Sequence, residues 1–174
     1  MIYYYCYYFA YGSNMSQERM KARGVEWKQS FVATLQDYEL VFNKTVSKPK
    51  KDSPILTPAK NTVLAELSDK MAFANVEYKK DSVVEGVVYL IDRVYIEKLD
   101  KYEGVNKPIP NYTRVELKAK KDGEDIPVWV YVANKDLVKD GLKPTKEYMN
   151  HLLGGRDMLS KEWVLMLENI QTID

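Results

Sequence analysis

The chain has 174 residues, 45% hydrophobic and 29% charged, enough for one well-buried core, which excludes collagen-like, low-complexity and wholly disordered chains. Its 26 Lys and Arg nearly cancel 25 Asp and Glu, so a formal charge of +1 leaves no overall field to steer it onto nucleic acid or anionic lipid. One cysteine, Cys6, and one histidine, His151, exclude an intrachain disulfide and a His/Cys zinc site, and no run resembles the spaced acidic loop of a calcium site.

Residues 1–17 carry no charged side chain, yet Met1–Asn14 has no basic n-region and runs into a Gly-Ser-Asn turn instead of a small-residue cleavage site, so it reads as mature protein. Tyr3 to Phe9 puts Tyr3, Tyr5, Tyr7 and Phe9 on one face and Tyr4, Cys6 and Tyr8 on the other, the pattern of a central strand buried on both sides. It breaks at Tyr11-Gly12-Ser13-Asn14. A short helix then runs from Ser16 to Arg23, capped by Asn14 or Ser16 and stopped by Gly24. Strands are expected at Trp27–Leu35, Tyr38–Val46, Thr62–Leu67 and Ser82–Ile91, the last alternating Val87, Tyr89 and Ile91 against Gly86, Val88 and Leu90. Between the second and third lies the proline- and lysine-rich segment 47–61, expected to be a surface loop.

Asp92 can cap a helix running to Tyr102, with Tyr95, Ile96, Leu99 and Tyr102 inward and Gly104 just past its end. Tyr112–Lys121 and Ile126–Ala133, joined through Asp122-Gly123, make a β-hairpin. Two helices close the chain, Pro144–Leu153 and Ser160–Ile170, the latter with Trp163, Leu167 and Ile170 on one stripe. No repeat or linker interrupts the order, so residues 1–174 read as a single domain of α+β class. Six or seven strands with few long crossovers predict a small mixed, largely antiparallel β-barrel flanked by helices. No stretch approaches the roughly 20 apolar residues of a membrane span. Without disulfides or an export signal, a cytoplasmic location is expected.

Chemistry has two candidate seats. A strand ending in Tyr-Gly-Ser-Asn and handing over to a helix exposes backbone N–H groups in one turn, a site for a carboxylate or a developing oxyanion; the plain alternative is a turn with Gly12 at positive φ and Asn14 as a cap. Glu103 sits against the negative end of a helix macrodipole among apolar and aromatic neighbours, which raises a carboxylate pKa toward the range of a general base; the alternative is a solvated last-turn residue. Among the 14 tyrosines, Tyr89, Tyr112, Tyr131 and Tyr148 can line a pocket or simply pack with a wet edge. Cys6 reads as a buried small hydrophobe and His151 as a packed or helix-surface residue. The lysines of the 47–61 segment beside a tyrosine-rich barrel allow a nucleic-acid binder, which the balanced charge disfavours.

Phe9-Ala10-Tyr11-Gly12-Ser13-Asn14-Met15 after the first strand, Leu35-Gln36-Asp37-Tyr38, Glu85-Gly86-Val87-Val88-Tyr89 and Leu99-Asp100-Lys101-Tyr102-Glu103-Gly104-Val105, in this order, resemble the γ-glutamylcyclotransferase family. The resemblance runs from about Met1 to Leu153; helix 160–170 is less clearly matched. It implies a small β-barrel and release of 5-oxoproline from a γ-glutamyl amide by attack of the substrate's own α-amine, with no metal or cofactor. By the same resemblance Glu103 is the acid/base residue. Tyr11, Gly12, Ser13, Asn14 and Met15 form the substrate loop, and Tyr148 and Tyr112 are pocket residues. The loop reads Tyr-Gly-Ser-Asn, unlike the Tyr-Gly-Ser-Leu of the glutathione-specific branch and the Tyr-Gly-Thr-Leu of the γ-glutamylamine branch. That tilts the expectation toward free γ-glutamyl amino acids or a γ-glutamyl-protected metabolite. The expected partner is a small-molecule γ-glutamyl substrate, with no nucleic acid and no membrane, in a monomer or homodimer. The competing reading is a non-catalytic small-ligand-binding protein on the same barrel.

Overall fold

The structure, a computed structural model, describes residues 4–46 and 67–174. Its strands are β1 (Tyr5–Ala10), β2 (Gln29–Thr45), β3 (Ala72–Asp92), β4 (Tyr112–Lys121) and β5 (Glu124–Ala133); its helices are α1 (Gln17–Ala22), α2 (Arg93–Tyr102), α3 (Lys146–Leu153) and α4 (Lys161–Glu168). The strands close a barrel in the order β1-β3-β2-β4-β5. All neighbours are antiparallel except β1 and β5, which meet in parallel at Tyr8 and Trp129. The mixed, largely antiparallel barrel is therefore present, with five strands among the described residues where the sequence pattern of the whole chain suggests six or seven.

Part of the difference is that two expected strands are one. Asp37, at φ 61°, is a bulge within β2 and not a turn: the pairing jumps from Gln36 opposite Val83 to Tyr38 opposite Tyr78. The Asp37 carboxylate accepts from the N–H of Asp81 (2.9 Å), itself at φ 64°, so both partners of this hairpin bend together. The Ser82–Ile91 run extends back to Ala72, through an exposed Tyr78-Lys79-Lys80-Asp81 stretch whose charges mask its strand pattern. Residues 47–61, and 62–66 of the strand expected at Thr62–Leu67, lie outside the described residues; Leu67 itself is helical.

Each helix starts on a side-chain cap. Ser16, Asp92, Thr145 and Ser160 accept from the N–H groups of Arg19 (3.2 Å), Val94 (3.1 Å), Tyr148 (3.1 Å) and Trp163 (3.2 Å), each cap worth about 1 kcal/mol. Of the two caps suggested for α1 it is Ser16 that serves, which leaves the Asn14 side chain for other work. The β4–β5 hairpin turns on Asp122 (φ 51°) and Gly123 (φ 85°), the paired positive φ of a type I′ turn that matches strand twist.

The alternation read in β3 separates two cores. Val84 and Val88 join Phe9, Leu35, Ala119, Val128 and Val130, one set drawn from all five strands and so filling the barrel. Val87, Tyr89 and Ile91 join Met20, Ile96, Leu99, Leu152 and Leu167 beneath the helices. β1 is buried at Tyr8, Phe9 and Ala10 but opens to solvent toward Tyr5, so burial on both faces holds only for its second half. Ile96 and Leu99 are the buried stripe of α2, whereas Tyr102 lies outside it at 53% exposure, its ring stacked under the Arg23 guanidinium 4.8 Å from the centroid. The C-terminal helix is tied down by Glu85 of β3, which accepts from the backbone N–H and the hydroxyl of Ser160.

Candidate active site

β1 delivers the chain to the mouth of the barrel at Tyr11, whose hydroxyl donates to the backbone carbonyl of Tyr131 on β5. A single 3-10 turn over Ser13–Met15 follows, closed by Met15 N–H donating to Gly12 O (3.0 Å). Gly12 has φ −113°, so it is not a positive-φ glycine; its value is clearance, since a Cβ there would stand 3.2 Å from the Tyr148 hydroxyl. The turn faces Tyr11, Gly12, Ser13 and Asn14 into a pocket, while Met15 points into the core beneath the helices with its N–H already engaged.

Asn14 is 3% exposed and pinned through its backbone, whose carbonyl accepts from Tyr89 (2.8 Å). Its side-chain amide donates to Tyr8 Oη (2.9 Å) and to Glu103 Oε1 (3.3 Å). That leaves Asn14 Oδ1 buried with no partner among the described residues, an acceptor that a bound donor would satisfy.

Glu103 is the C-cap of α2, and Gly104 behind it takes φ 64°, the left-handed turn that ends the helix. The carboxylate is 18% exposed and pairs with Arg23 at the end of α1 (2.9 Å). Burial pushes its pKa above the ordinary carboxylate value; Arg23, Arg19 and the Asn14 amide oppose that without cancelling it. Burial likewise raises the phenols of Tyr8, Tyr11 and Tyr112, and lifts Tyr148 to about 12, so all four stay protonated at neutral pH.

Tyr112 and Tyr148 reach the site through the irregular end of the β2–β3 hairpin. A bulge between Phe42 and Lys44 interrupts the pairing opposite Ala74, and the two tyrosines take over its peptide groups. Tyr148 Oη accepts from Ala74 N–H (3.1 Å) and Tyr112 Oη donates to Ala74 O (2.9 Å). Tyr148→Phe would orphan that N–H, so we expect a loss of about 1–3 kcal/mol in urea unfolding. An unchanged midpoint would show that the hydroxyl carries no structural share.

The cavity has two parts. An inner pocket of about 40 Å³ is walled by Tyr8, the Tyr11–Asn14 loop, Ala74, Glu103, Tyr112, Tyr131 and Tyr148. An outer chamber of about 190 Å³ shares Ser13, Glu103, Tyr112 and Tyr148 with it and adds Arg19, Arg23, Lys44 and Phe73. Of the residues expected from sequence, Tyr11–Asn14, Glu103, Tyr112, Tyr131 and Tyr148 line the cavity and Met15 and Tyr89 do not, while Tyr8, Arg19, Arg23 and Lys44 line it unanticipated. Cys6 and His151 line neither part; His151 Nε2 instead lies 3.3 Å from Arg19 Nη1. Among the described residues no group of three or more His, Cys, Asp or Glu is placed to hold a metal, and no helix is long and apolar enough to cross a membrane.

Residues 83–167 match the model of the AIG2-like family. Among curated proteins none matches the sequence. In fold, a structure named gamma-glutamyl cyclotransferase aligns with TM-score 0.75 at 23% identity, over 98% of this chain and 90% of its own. The human protein loc79017 aligns with TM-score 0.75 at 23% identity, over 99% and 91%. A yeast gamma-glutamyl cyclotransferase specific to glutathione aligns with TM-score 0.58 at 14% identity, over 95% and 94%. The likeness in sequence is thus to the AIG2-like family over residues 83–167, and the likeness to the structure named gamma-glutamyl cyclotransferase is one of fold over nearly the whole chain.

Proposed function

We propose that this γ-glutamylcyclotransferase-like protein is an enzyme that releases 5-oxoproline from a γ-glutamyl amino acid or amide. The observation that supports it best is the meeting of Glu103 with the Tyr11–Asn14 loop in one small polar pocket, the carboxylate 3.3 Å from the Asn14 amide. Two segments far apart in sequence are brought together there.

In this reading the substrate supplies the nucleophile. Its α-ammonium gives a proton to Glu103, the freed amine attacks its own γ-carbonyl carbon, and a new C–N bond closes the five-membered ring. Glu103 returns the proton to the departing nitrogen as the old C–N bond breaks, and the second proton shed by the new ring nitrogen ends on the released amine, which leaves as an ammonium, so no water, metal or redox partner enters the balance. The buried Asn14 Oδ1 is suited to receive the ammonium. Loop N–H groups of Gly12, Ser13 and Asn14 face charge developing on the γ-oxygen or hold the α-carboxylate. Tyr148, whose phenol already accepts from Ala74, has its own hydrogen to donate to a substrate oxygen. Holding amine and carbonyl in near-attack geometry supplies much of the rate.

The pH dependence has a worked sign. Glu103 acts as a base only when ionised, so kcat/KM falls as pH drops through its raised pKa. Arg23 lowers that pKa by its charge and its hydrogen bond, so in Arg23→Gln the acidic limb is expected at higher pH than in the wild type. A limb that stays in place would assign the titration to another group. The reading as a whole is tested by assaying 5-oxoproline release from a panel of γ-glutamyl amino acids and γ-glutamyl amines. Release with the free amine in equal amount supports it, and a folded protein silent on every member overturns it.

A further inference from the structure

Lys44 has no part in the chemistry above, yet it is among the most deeply placed charged side chains of the fold, at 2% exposure. It is there because of the bulge: Asn43 and Lys44 are consecutive and both buried, where a regular pleat would hide only one. Asn43 is consumed structurally, donating to Glu77 (2.6 Å) and accepting from Asn75 (3.1 Å). Lys44 instead lines the outer chamber, with Nζ donating to the Thr45 carbonyl (2.6 Å) and standing 5.8 Å from the centroid of the Tyr112 ring.

A second cation shares the chamber wall. Arg19 has one guanidinium nitrogen, Nε, buried without a hydrogen-bond partner among the described residues, while Arg23 is already paired with Glu103. Among the described residues Lys44 has no carboxylate within ion-pair distance. Burial and the nearby charge of Lys107 lower its pKa to about 8, with the charge of Glu103 opposing that only in part. Buried cations are ordinarily paired.

We infer that the outer chamber is an anion subsite in which Lys44, assisted by Arg19, receives a carboxylate carried by the leaving amine. Resting on the cyclotransferase reading, this makes Lys44 a specificity-determining residue. The chamber shares Glu103, Tyr112 and Tyr148 with the inner pocket, and a glutamyl group gripped by the Tyr11–Asn14 loop beside Glu103 would point its departing nitrogen to that side. An α-amino acid carries its carboxylate one carbon from that nitrogen. Leaving groups that are α-amino acids or peptides with a nearby carboxylate are therefore favoured over neutral amines and amides. Nothing in this asks Lys44 to move a proton; it holds charge.

The test compares γ-glutamyl-alanine with γ-glutamyl-alaninamide, which differ in that one charge, by calorimetric binding to the Glu103→Gln protein and by 5-oxoproline release from the wild type. A charge-assisted contact predicts that the acid binds about tenfold to a hundredfold more tightly than the amide. Lys44→Met should erase the difference by weakening the acid alone, and Lys44→Arg should restore part of it. Equal binding of acid and amide overturns the subsite, as does a preference that survives Lys44→Met. The ligand comparison needs no substitution at Lys44, so a poorly folding variant does not blunt it. Release from both ligands without preference sinks the subsite and spares the reaction. A binding preference with no release sinks the reaction and spares the subsite, and absence of binding by either ligand sinks both.

Discussion

Glu103→Gln is expected to fold normally and to lower kcat/KM for 5-oxoproline release at least about a hundredfold, the scale of a lost general base. Gln is nearly isosteric, and its amide oxygen can still accept from Arg23 and Asn14, the two donors that hold Oε1 in place. What it cannot do is take a proton. The loss should appear in kcat with binding of the substrate little changed, because the groups proposed to grip the glutamyl moiety belong to the Tyr11–Asn14 loop. A variant that binds and turns over like the wild type would leave Glu103 a structural C-cap and favour a non-catalytic ligand-binding role for the pocket.

Gly86→Ala is expected to cost about 3 kcal/mol, the upper end of the range for overpacking, which for a chain of this size lowers Tm by roughly 10 °C. A Cβ at Gly86 would lie 2.5 Å from the carbonyl oxygen of Ala10 and 2.5 Å from the Phe9 ring. In a looser core the ring would rotate away, but Phe9 is fully buried and Ala10 O belongs to the backbone, so strand must move from strand. Since Ala10 leads directly into Tyr11, the same displacement shifts the loop against Glu103, and activity should fall with stability. Thermal unfolding by circular dichroism reads the first effect. A Tm unchanged from the wild type would contradict the close β1–β3 contact.

How much of this was legible in the sequence divides along physical lines. Features set by local chemistry were readable: the Asp92 cap, the Asp122-Gly123 turn, and the alternation of Val87, Tyr89 and Ile91 against Gly86 and Val88 each reflect neighbours within a few residues. Glu103 was readable as a helix-end carboxylate for the same reason, and the Tyr11–Asn14 loop as a strand-to-helix turn. Bulges were not readable, because they depend on what the partner strand does. Asp37 looks like a turn residue until Asp81 is seen opposite, and Lys44 looks like an ordinary strand lysine until the bulge at Asn43 buries it. Nor does anything local say that Arg23 meets Glu103, 80 residues further along the chain. Arg19 and Arg23 lie four apart on the short α1 segment, one helical turn, directly after the loop; that spacing was the one available signal that both face the pocket.

The central claim is that the substrate's own amine displaces the leaving group, and product identity tests it most directly. Incubated with γ-glutamyl-alanine in isotopically labelled water, the wild-type protein should yield 5-oxoproline and alanine in equal amounts, with no solvent oxygen in either. Glutamate carrying solvent oxygen would show that water, not the α-amine, attacks the γ-carbonyl, and would contradict the account.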